Sequence, residues 1–192
     1  MDIVSQHDEG EYLVLEAQLR ENYGKIIYSH KTQEKCADIL TRRNNLIKNI
    51  QIGLSAIVTA GLFIKLFRGE EWALIVSMVV STLQLALTAF LKEFKLGETI
   101  QKHQTAALEI WEVREEYLSL LTDLKSNAIS LGDARSKRDK LLAKLSKTYK
   151  GAPRTFSQAY EQARQALQID EELTFDEKEI DKFLPAELRR NH

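Results

Sequence analysis

Two long apolar runs, separated by a short charged segment, divide the chain into three parts. The second run, from Trp72 to Leu91, contains twenty residues without a charge, and twenty helical residues rise about 30 Å, the thickness of a bilayer's hydrocarbon core. The first run, from Leu46 to Phe67, carries charge only at Lys48 and Lys65, near its ends, where lysine side chains can reach the membrane surface. The pattern predicts two transmembrane helices. The alternative is a helical hairpin buried in a soluble core, whose apolar helices are normally shorter.

Helical periodicity on both sides of these runs predicts an all-α protein. In residues 1–45 apolar residues recur at steps of three and four, with a polar interruption at 30–34, so the segment forms one long helix or two in line. After Leu91 there is no proline and only Gly97 up to about Ser126, so we expect the second span to continue without a break. We therefore divide the chain into an N-terminal cytosolic helix (1–45), a transmembrane hairpin (46–91, spans 46–67 and 72–91) and a C-terminal cytosolic helical region (92–192).

The helix after the second span carries a heptad seam, which requires a partner helix. The hairpin brings the N-terminal helix alongside, so we expect an antiparallel, coiled-coil-like bundle. His103 and Arg114 occupy seam positions. We interpret His103 as a hydrogen-bonded interface histidine, with a pH sensor or ligand contact as the alternative, and Arg114 as the partner of a carboxylate. The seam consists of Leu96, Ile100, His103, Ala107, Ile110, Arg114, Tyr117, Leu121 and Leu124.

Two or three shorter helices follow. Ser130 and Asp133 form the start of a capping box, and Gly151 and Pro153 end that helix. We expect a second helix over 156–167, opened by Thr155, and a third over 175–183, opened by Thr174. The first of these helices is strongly basic, with eight basic and two acidic residues between 133 and 154.

The basic residues of this helix have three interpretations: a solvated face, a contact with anionic lipid headgroups, or a contact with the phosphates of a nucleotide or nucleic acid. Because the tail after Thr155 is acidic, we also expect it to fold against the basic helix. The residues concerned are Arg135, Lys137, Arg138, Lys140, Lys144 and Lys147.

Basic residues near the apolar runs predict the topology. Eight lie within about twenty residues of the outer ends of the two spans, and only Lys65 and Arg68 lie in the turn between them. Both termini are therefore expected in the cytoplasm, with the turn on the opposite side of the membrane.

Each predicted span carries a stripe of uncharged polar residues on one face. These side chains either hydrogen-bond across helix interfaces or line a pore formed by several copies, since two helices cannot enclose water. Four small residues of the first span permit close helix approach: Gly53, Ala56, Ala60 and Gly61. The polar stripes consist of Gln51, Ser55 and Thr59 in the first span and Ser77, Ser81, Gln84 and Thr88 in the second.

Composition adds no sign of an enzyme or a cofactor. Cys36 is the single cysteine, and the four histidines have no metal-ligand spacing. We find no phosphate-binding loop, nucleophile elbow or pair of carboxylates with acid–base spacing. The sequence predicts a non-enzymatic membrane protein without a cofactor or metal.

The C-terminal run APRTFSQAYEQARQALQ, followed by ELTFDEKEIDKFLP, together with two closely spaced spans and helical flanks, resembles the SLATT family of two-transmembrane effector domains of bacterial conflict systems. The resemblance covers nearly the whole chain. It implies an effector of the bacterial inner membrane that opens a pore or disrupts the bilayer as a homo-oligomer, triggered by a separately encoded sensor or nucleotide-synthesising protein; nucleic acid is not an expected partner. The alternative is a membrane-anchored helical scaffold that docks a separately encoded enzyme.

Overall fold

The computed structural model describes residues 2–185 and 189, without the side chains of residues 2–8, and the predicted all-α class is confirmed over these residues. Met1, 186–188 and 190–192, which belong to the first and third predicted segments, lie outside the described residues. The helices are α1 (Asp2–Arg68), α2 (Glu71–Phe94), α3 (Leu96–Lys125), α4 (Leu131–Gly151), α5 (Ser157–Gln168) and α6 (Glu177–Phe183).

The first helix, α1, settles the choice between one long helix and two in line. Its 67 residues run without interruption from the N-terminal region through the first apolar run, a length of about 100 Å at 1.5 Å per residue. The sequence contains no proline in this stretch. Any displacement of the N-terminal half of α1 therefore acts on the apolar half through one rigid element.

A single residue, Lys95, separates α2 from α3. Its backbone is left-handed (φ 43°, ψ 43°), which ends α2 at Phe94 and lets α3 begin at Leu96. The predicted continuous helix is therefore wrong at this position. A left-handed lysine costs about 1–2 kcal/mol and carries no sequence signal of the kind that proline gives, so only the packed structure reveals the break.

The core lies between the N-terminal half of α1, α3 and α4. Tyr117 and Leu120 of α3 lie between the other two helices and are almost completely buried. Most of the predicted seam is buried here, whereas Leu96, Arg114 and Leu121 are half-buried. The cluster comprises Leu15, Leu19 and Ile26 of α1, Ile110, Val113, Tyr117, Leu120 and Leu124 of α3, and Ala134, Leu141 and Leu145 of α4.

The two helix ends flanking the α3–α4 turn follow simple local rules. Asn127 adopts a left-handed conformation (φ 56°) just after α3, a conformation that asparagine tolerates well. Ser130 then caps α4 by accepting a hydrogen bond from the Asp133 amide, so the predicted cap is confirmed. The predicted end of α4 is also confirmed, because the helix stops at Gly151, two residues before Pro153.

The predicted starts of the last two helices are wrong by one or two residues. α5 is preceded by Phe156, which makes no side-chain capping bond, so Thr155 is not its cap. α6 is capped by Asp176, whose carboxylate accepts from the Glu179 amide, a stronger cap than the predicted Thr174 because the acceptor is charged. The hydroxyl of Thr174 instead donates to the Glu171 carbonyl oxygen.

α5 packs antiparallel on α1 through a face of alanines. Ala159, Ala163 and Ala166 are 0–1 % exposed, and small side chains at these positions let the two helices approach closely. At the start of α5, Phe156 and Ala159 cover Cys36 and Ile39. The helix α5 is thereby held on α1 rather than on α4.

Candidate functional site

The apolar part of α1 (46–68) and α2 lie side by side, and we call them the apolar helix pair. Gly69 joins them with φ 78°, a left-handed value that glycine adopts at no steric cost. Both helices are long and apolar enough to cross a membrane, and only 6 % of each most apolar window is buried within the chain. The core helices of soluble proteins are mostly buried, so an apolar surface of this size indicates a membrane environment.

Gly61 is a point of close approach between the two helices. It is buried, and a Cβ atom added there would lie 2.9 Å from the Ala73 carbonyl oxygen and closer still to the Ser77 hydroxyl. That hydroxyl donates to the Ala73 carbonyl at 2.8 Å and lies 3.3 Å from the Val58 carbonyl. The contact therefore combines a missing side chain on α1 with an internally satisfied serine on α2.

The other small residues of the predicted close-packing set lie elsewhere. Gly53, Ala56 and Ala60 are exposed, and a Cβ at Gly53 would meet nothing within 4 Å. The structure therefore places only Gly61 of this set against α2. The remaining three form a separate surface on α1.

Polar side chains form a seam on the exposed side of the apolar helix pair. Gln51 donates to the Thr88 hydroxyl at 3.1 Å, and Gln84 donates to the Ser55 hydroxyl at 2.6 Å. Thr59 donates to the carbonyl oxygen of Ser55, one turn earlier. We call Gln51, Ser55, Thr59, Ser81, Gln84 and Thr88 the polar seam; these residues are exposed or half-buried.

Charged residues of opposite sign pair at the turn that joins the two apolar helices. Lys65 forms an ion pair with Glu71 and also lies 3.3 Å from the Gly69 carbonyl oxygen. Lys65, the second of the two lysines in the first apolar run, is therefore paired across the turn. This pairing reduces the free energy needed to hold its charge at a membrane surface.

Three of the six basic residues of α4 singled out above pair with carboxylates of neighbouring helices. Lys144 contacts Glu112 and Glu116 of α3 at 3.3 and 2.6 Å. The expected contact between the acidic tail and α4 is wrong for the described residues, since the carboxylates that pair with α4 lie on α1, on α3 and on α4 itself. Lys140 and Lys147 have no ion pair among the described residues. The remaining pairs are Arg135–Glu11, Lys137–Asp123 and Arg138–Asp139.

A belt of polar residues lies in the middle of the N-terminal half of α1, before the apolar run. His30, Lys31, Thr32 and Gln33 are each 4–8 % exposed, although the sequence pattern marks this stretch as an interruption of the apolar stripe. We call these four residues the polar belt. Burying four consecutive polar side chains is costly unless their groups are paired, so their partners define the chemistry of this region.

One member of the polar belt, Gln33, contacts the predicted heptad seam of α3. The Nδ1 atom of His103 lies 2.5 Å from Oε1 of Gln33, so His103 is a hydrogen-bonded interface histidine as predicted. Burial lowers the pKa of His103. The prediction for Arg114 is also confirmed, because its guanidinium contacts Glu115 at 2.6 and 2.9 Å.

His30 is buried, but only one of its two ring nitrogens lies near a partner. Its Nε2 lies 3.7 Å from Glu34, whereas its Nδ1 has no hydrogen-bond partner within the described part of the chain. Burial is the main cause of a lowered pKa at His30, and Arg114 and Lys31 lower it further against the opposing effect of Glu34. Burial and the two nearby cations therefore favour the neutral form of the ring.

Lys31 lies at the centre of an ion-pair cluster that joins α1 to the segment between α5 and α6. Its ammonium contacts Glu34 at 3.0 Å and Glu172 at 2.5 Å, and Lys35 contacts the other oxygen of Glu172 at 3.3 Å. Burial lowers the pKa of Lys31, but the bonds to Glu172 and Glu34 outweigh this effect and raise it. The bond to Lys31 correspondingly lowers the pKa of Glu172.

Clefts open on both sides of the polar belt. One of about 430 Å³ lies beside Tyr28, Tyr149, Tyr160 and Arg154. The other, of about 610 Å³, lies between α1, α3 and the α5–α6 segment and is bordered by the Lys31 cluster and Trp111.

The sequence contained a signal for the polar belt. His30 and Gln33 lie at steps of four, three and four between Ile26 and Ala37, so they continue the helical stripe and were recognisable as buried positions. Glu172 had no such signal, because its contact with Lys31 spans more than 130 residues.

Comparison with protein families gives a match over most of the sequence. The family model for the SMODS and SLOG-associating 2TM effector domain family 4 (SLATT_4) matches residues 15–179. This range includes both apolar helices, the polar belt and α5. Comparison with curated proteins and with solved structures gives no match.

Proposed function

Because the chain belongs to the SMODS and SLOG-associating 2TM effector domain family 4, we propose that it is a membrane effector that acts as a pore-forming homo-oligomer. Its apolar helix pair is a transmembrane hairpin, and the cytosolic helices form an antiparallel, coiled-coil-like bundle that controls it. Both termini lie in the cytoplasm of a bacterial cell, and the membrane is the inner membrane. The trigger is a separate protein of the nucleotidyltransferase or sensor type, or its product.

The polar seam is the observation that supports this proposal. Its six side chains lie on the surface of helices whose other exposed residues are mainly leucine, isoleucine, valine and phenylalanine. Exposed polar groups in hydrocarbon are unfavourable, so the seam is expected to face another copy or water. Several copies with their seams turned inward provide an uncharged pore lining, for which we expect weak ion selectivity. Gly53, Ala56 and Ala60 offer a second small-residue surface for contacts between copies.

The geometry of α4 argues against lipid contact by its basic residues. Tyr149, near the end of α4, donates to the Ser29 hydroxyl of α1, and Ser29 lies 17 residues before Leu46, which is about 25 Å along the unbroken α1. The headgroup layer is only about 5–8 Å thick on each side. We therefore propose that α4 acts within the bundle, through its ion pairs with α1 and α3.

A scaffold function is the second candidate. The hydrogen bonds Gln51–Thr88 and Gln84–Ser55 satisfy part of the seam within one chain, which suits a hairpin that only anchors a docking domain. The two candidates differ in one measurable property, since a scaffold leaves the membrane intact.

Conductance in planar bilayers tests the proposal. The double variant Ser81→Leu/Gln84→Leu makes two seam positions apolar, whereas the control Met78→Leu/Val79→Leu changes two exposed apolar side chains on the same helix. We expect the activated wild type and the control to conduct and the seam variant to lose most of the current. Equal currents from all three proteins exclude these residues from the pore, and an intact membrane potential in dying cells favours the scaffold.

A further inference from the structure

The larger cleft beside the polar belt is lined by three basic side chains, Lys31, Lys35 and Arg114, and by three acidic ones, Glu34, Asp38 and Glu172. Lys31 and Lys35, one helical turn apart on α1, direct their ammonium groups to the two oxygens of one carboxylate, that of Glu172. Arg114 and the indole of Trp111 border the same cleft from α3. Two cations converging on one oxyanion group is the arrangement by which proteins hold phosphates and carboxylates.

A second observation indicates that the cleft has unused binding capacity. His30 is 6 % exposed and borders the cleft, and its Nδ1 lacks a hydrogen-bond partner within the described residues. A buried polar atom without a partner is destabilising. A ligand with several oxygen atoms would satisfy it while contacting the two lysines.

We propose that this cleft, which we call the Lys31–Lys35 cleft, binds a water-soluble polyanion of the phosphate type, and that the Glu172 carboxylate competes with it for the same two ammonium groups. The ligand has to be a polyanion, because replacing the Glu172 carboxylate by another monovalent carboxylate yields little binding free energy. The volume of about 610 Å³ exceeds that of one oxyanion group, and Trp111 provides an apolar wall for the rest of the ligand.

The position of the cleft favours a soluble ligand over a lipid headgroup. Lys31 lies 15 residues before Leu46, which corresponds to about 22 Å along α1. This distance exceeds the headgroup layer of about 5–8 Å. The ligand therefore enters from the aqueous side.

Binding has a mechanical consequence that rests on the proposed function. A polyanion on Lys31 and Lys35 displaces Glu172 and frees the segment 169–176, which is tied to α1 by that carboxylate. Because α1 is one helix from the cleft to Arg68, a change in its packing reaches the apolar helix pair directly. The cleft is thus the input site of the effector.

Calorimetric titration of the full-length protein in detergent with inorganic pyrophosphate tests the site. Glu172→Gln removes the competing charge, and Glu171→Gln is the matched control on the neighbouring exposed residue. We expect Glu172→Gln to bind pyrophosphate about tenfold more tightly than wild type and Glu171→Gln to match wild type. Equal affinity of both variants and wild type overturns the proposal.

A second pair of variants separates site binding from general charge attraction. In the Glu172→Gln background, Lys35→Ala removes one of the two cations, and Lys140→Ala makes the same charge change at an exposed residue of α4. Circular dichroism verifies folding. Loss of affinity in Lys35→Ala alone supports the site, whereas equal loss in both contradicts it. Binding to phosphatidylglycerol vesicles that depends on Lys35, without pyrophosphate binding, identifies a headgroup site and also overturns the proposal.

Dye release from vesicles distinguishes this proposal from the proposed function. Pyrophosphate binding without release leaves the site intact and contradicts its role as the input of a pore. Release by another trigger, with no pyrophosphate binding in Glu172→Gln, leaves the pore intact and rejects the site.

Discussion

Gln33 of α1 and His103 of α3 meet in the buried interface of the bundle, with the histidine Nδ1 2.5 Å from the glutamine Oε1. Because the amide oxygen only accepts, the ring nitrogen donates. This hydrogen bond joins the polar belt to the predicted heptad seam. It fixes the register of α1 against α3 through a directional bond, where leucine packing alone would tolerate sliding.

The bundle is expected to lose stability on mild acidification. Burial lowers the folded-state pKa values of His103 and His30, so the unfolded chain binds protons first as the pH falls below its value of about 6.5. Stability is complete above pH 6.5 and decreases below it, by at most about 1.4 kcal/mol per pH unit for each histidine. Melting curves between pH 7.5 and 5 measure this slope.

His103→Gln is the control for that slope, since it keeps a hydrogen-bonding side chain opposite Gln33 but cannot titrate. Its melting temperature should fall less steeply with acidification than that of wild type. An identical slope shows that His103 does not contribute. Lysine partners lower the pKa values of Glu172 and Glu98. These two residues therefore change the stability only near pH 4.5 and below, outside the pH range of this experiment.

Gly61 and Gly53 should respond in opposite ways to the same substitution. Gly61→Ala places a methyl group against Ala73 and Ser77, so we expect it to destabilise the apolar helix pair by about 1–3 kcal/mol. Gly53→Ala meets open space and should be neutral or slightly stabilising in the single chain. Unfolding in mixed detergent micelles measures both, and equal stability of the two variants contradicts the close contact.

Lys95 and Lys92 provide a test of the break between α2 and α3. Lys95→Gly relieves a left-handed lysine and should stabilise the protein by about 1 kcal/mol. Lys92→Gly, inside α2, should destabilise by about 1 kcal/mol because glycine disfavours helix. Chemical denaturation measures the change in the free energy of unfolding for both variants. A loss of stability in Lys95→Gly indicates that the helix is continuous in solution.

The alanine face of α5 should tolerate no larger side chain. Ala163→Leu forces an isobutyl group into a fully buried contact with α1 and is expected to cost about 1–3 kcal/mol. Gln165→Leu adds the same side chain at an exposed position of α5 and should leave stability nearly unchanged. Limited proteolysis of the segment after Gly151 reports the docking, and equal cleavage rates contradict it.

The local features of this fold follow from the sequence with little ambiguity. Apolar runs of twenty residues, helical periodicity and the Ser130 cap depend on neighbours along the chain, and all are present where the pattern indicates. The residues of the apolar runs that line a pore remain a prediction, because that property depends on contacts between copies.

Errors concentrate where one local preference competes with another or with packing. Thr155 and Thr174 have the side chains of good caps, yet the helices begin later, because Asp176 offers a charged acceptor and Phe156 is held against Cys36. The break at Lys95 has no side-chain signal of its own. The acidic tail was expected on α4, but the carboxylates of α1 and α3 already pair with α4.

The sequence by itself determined the class of the protein: two apolar helices long enough for a bilayer, attached to amphipathic helices that need partners. Hydrophobic length and period are properties of a single segment, and the folded protein has to bury the apolar faces that they define. Only the tertiary structure decided that Lys31 and Thr32 are buried beside His30 and Gln33, and that Glu172 pairs with Lys31. Charges separated by more than 130 residues attract each other only after the helices between them have packed.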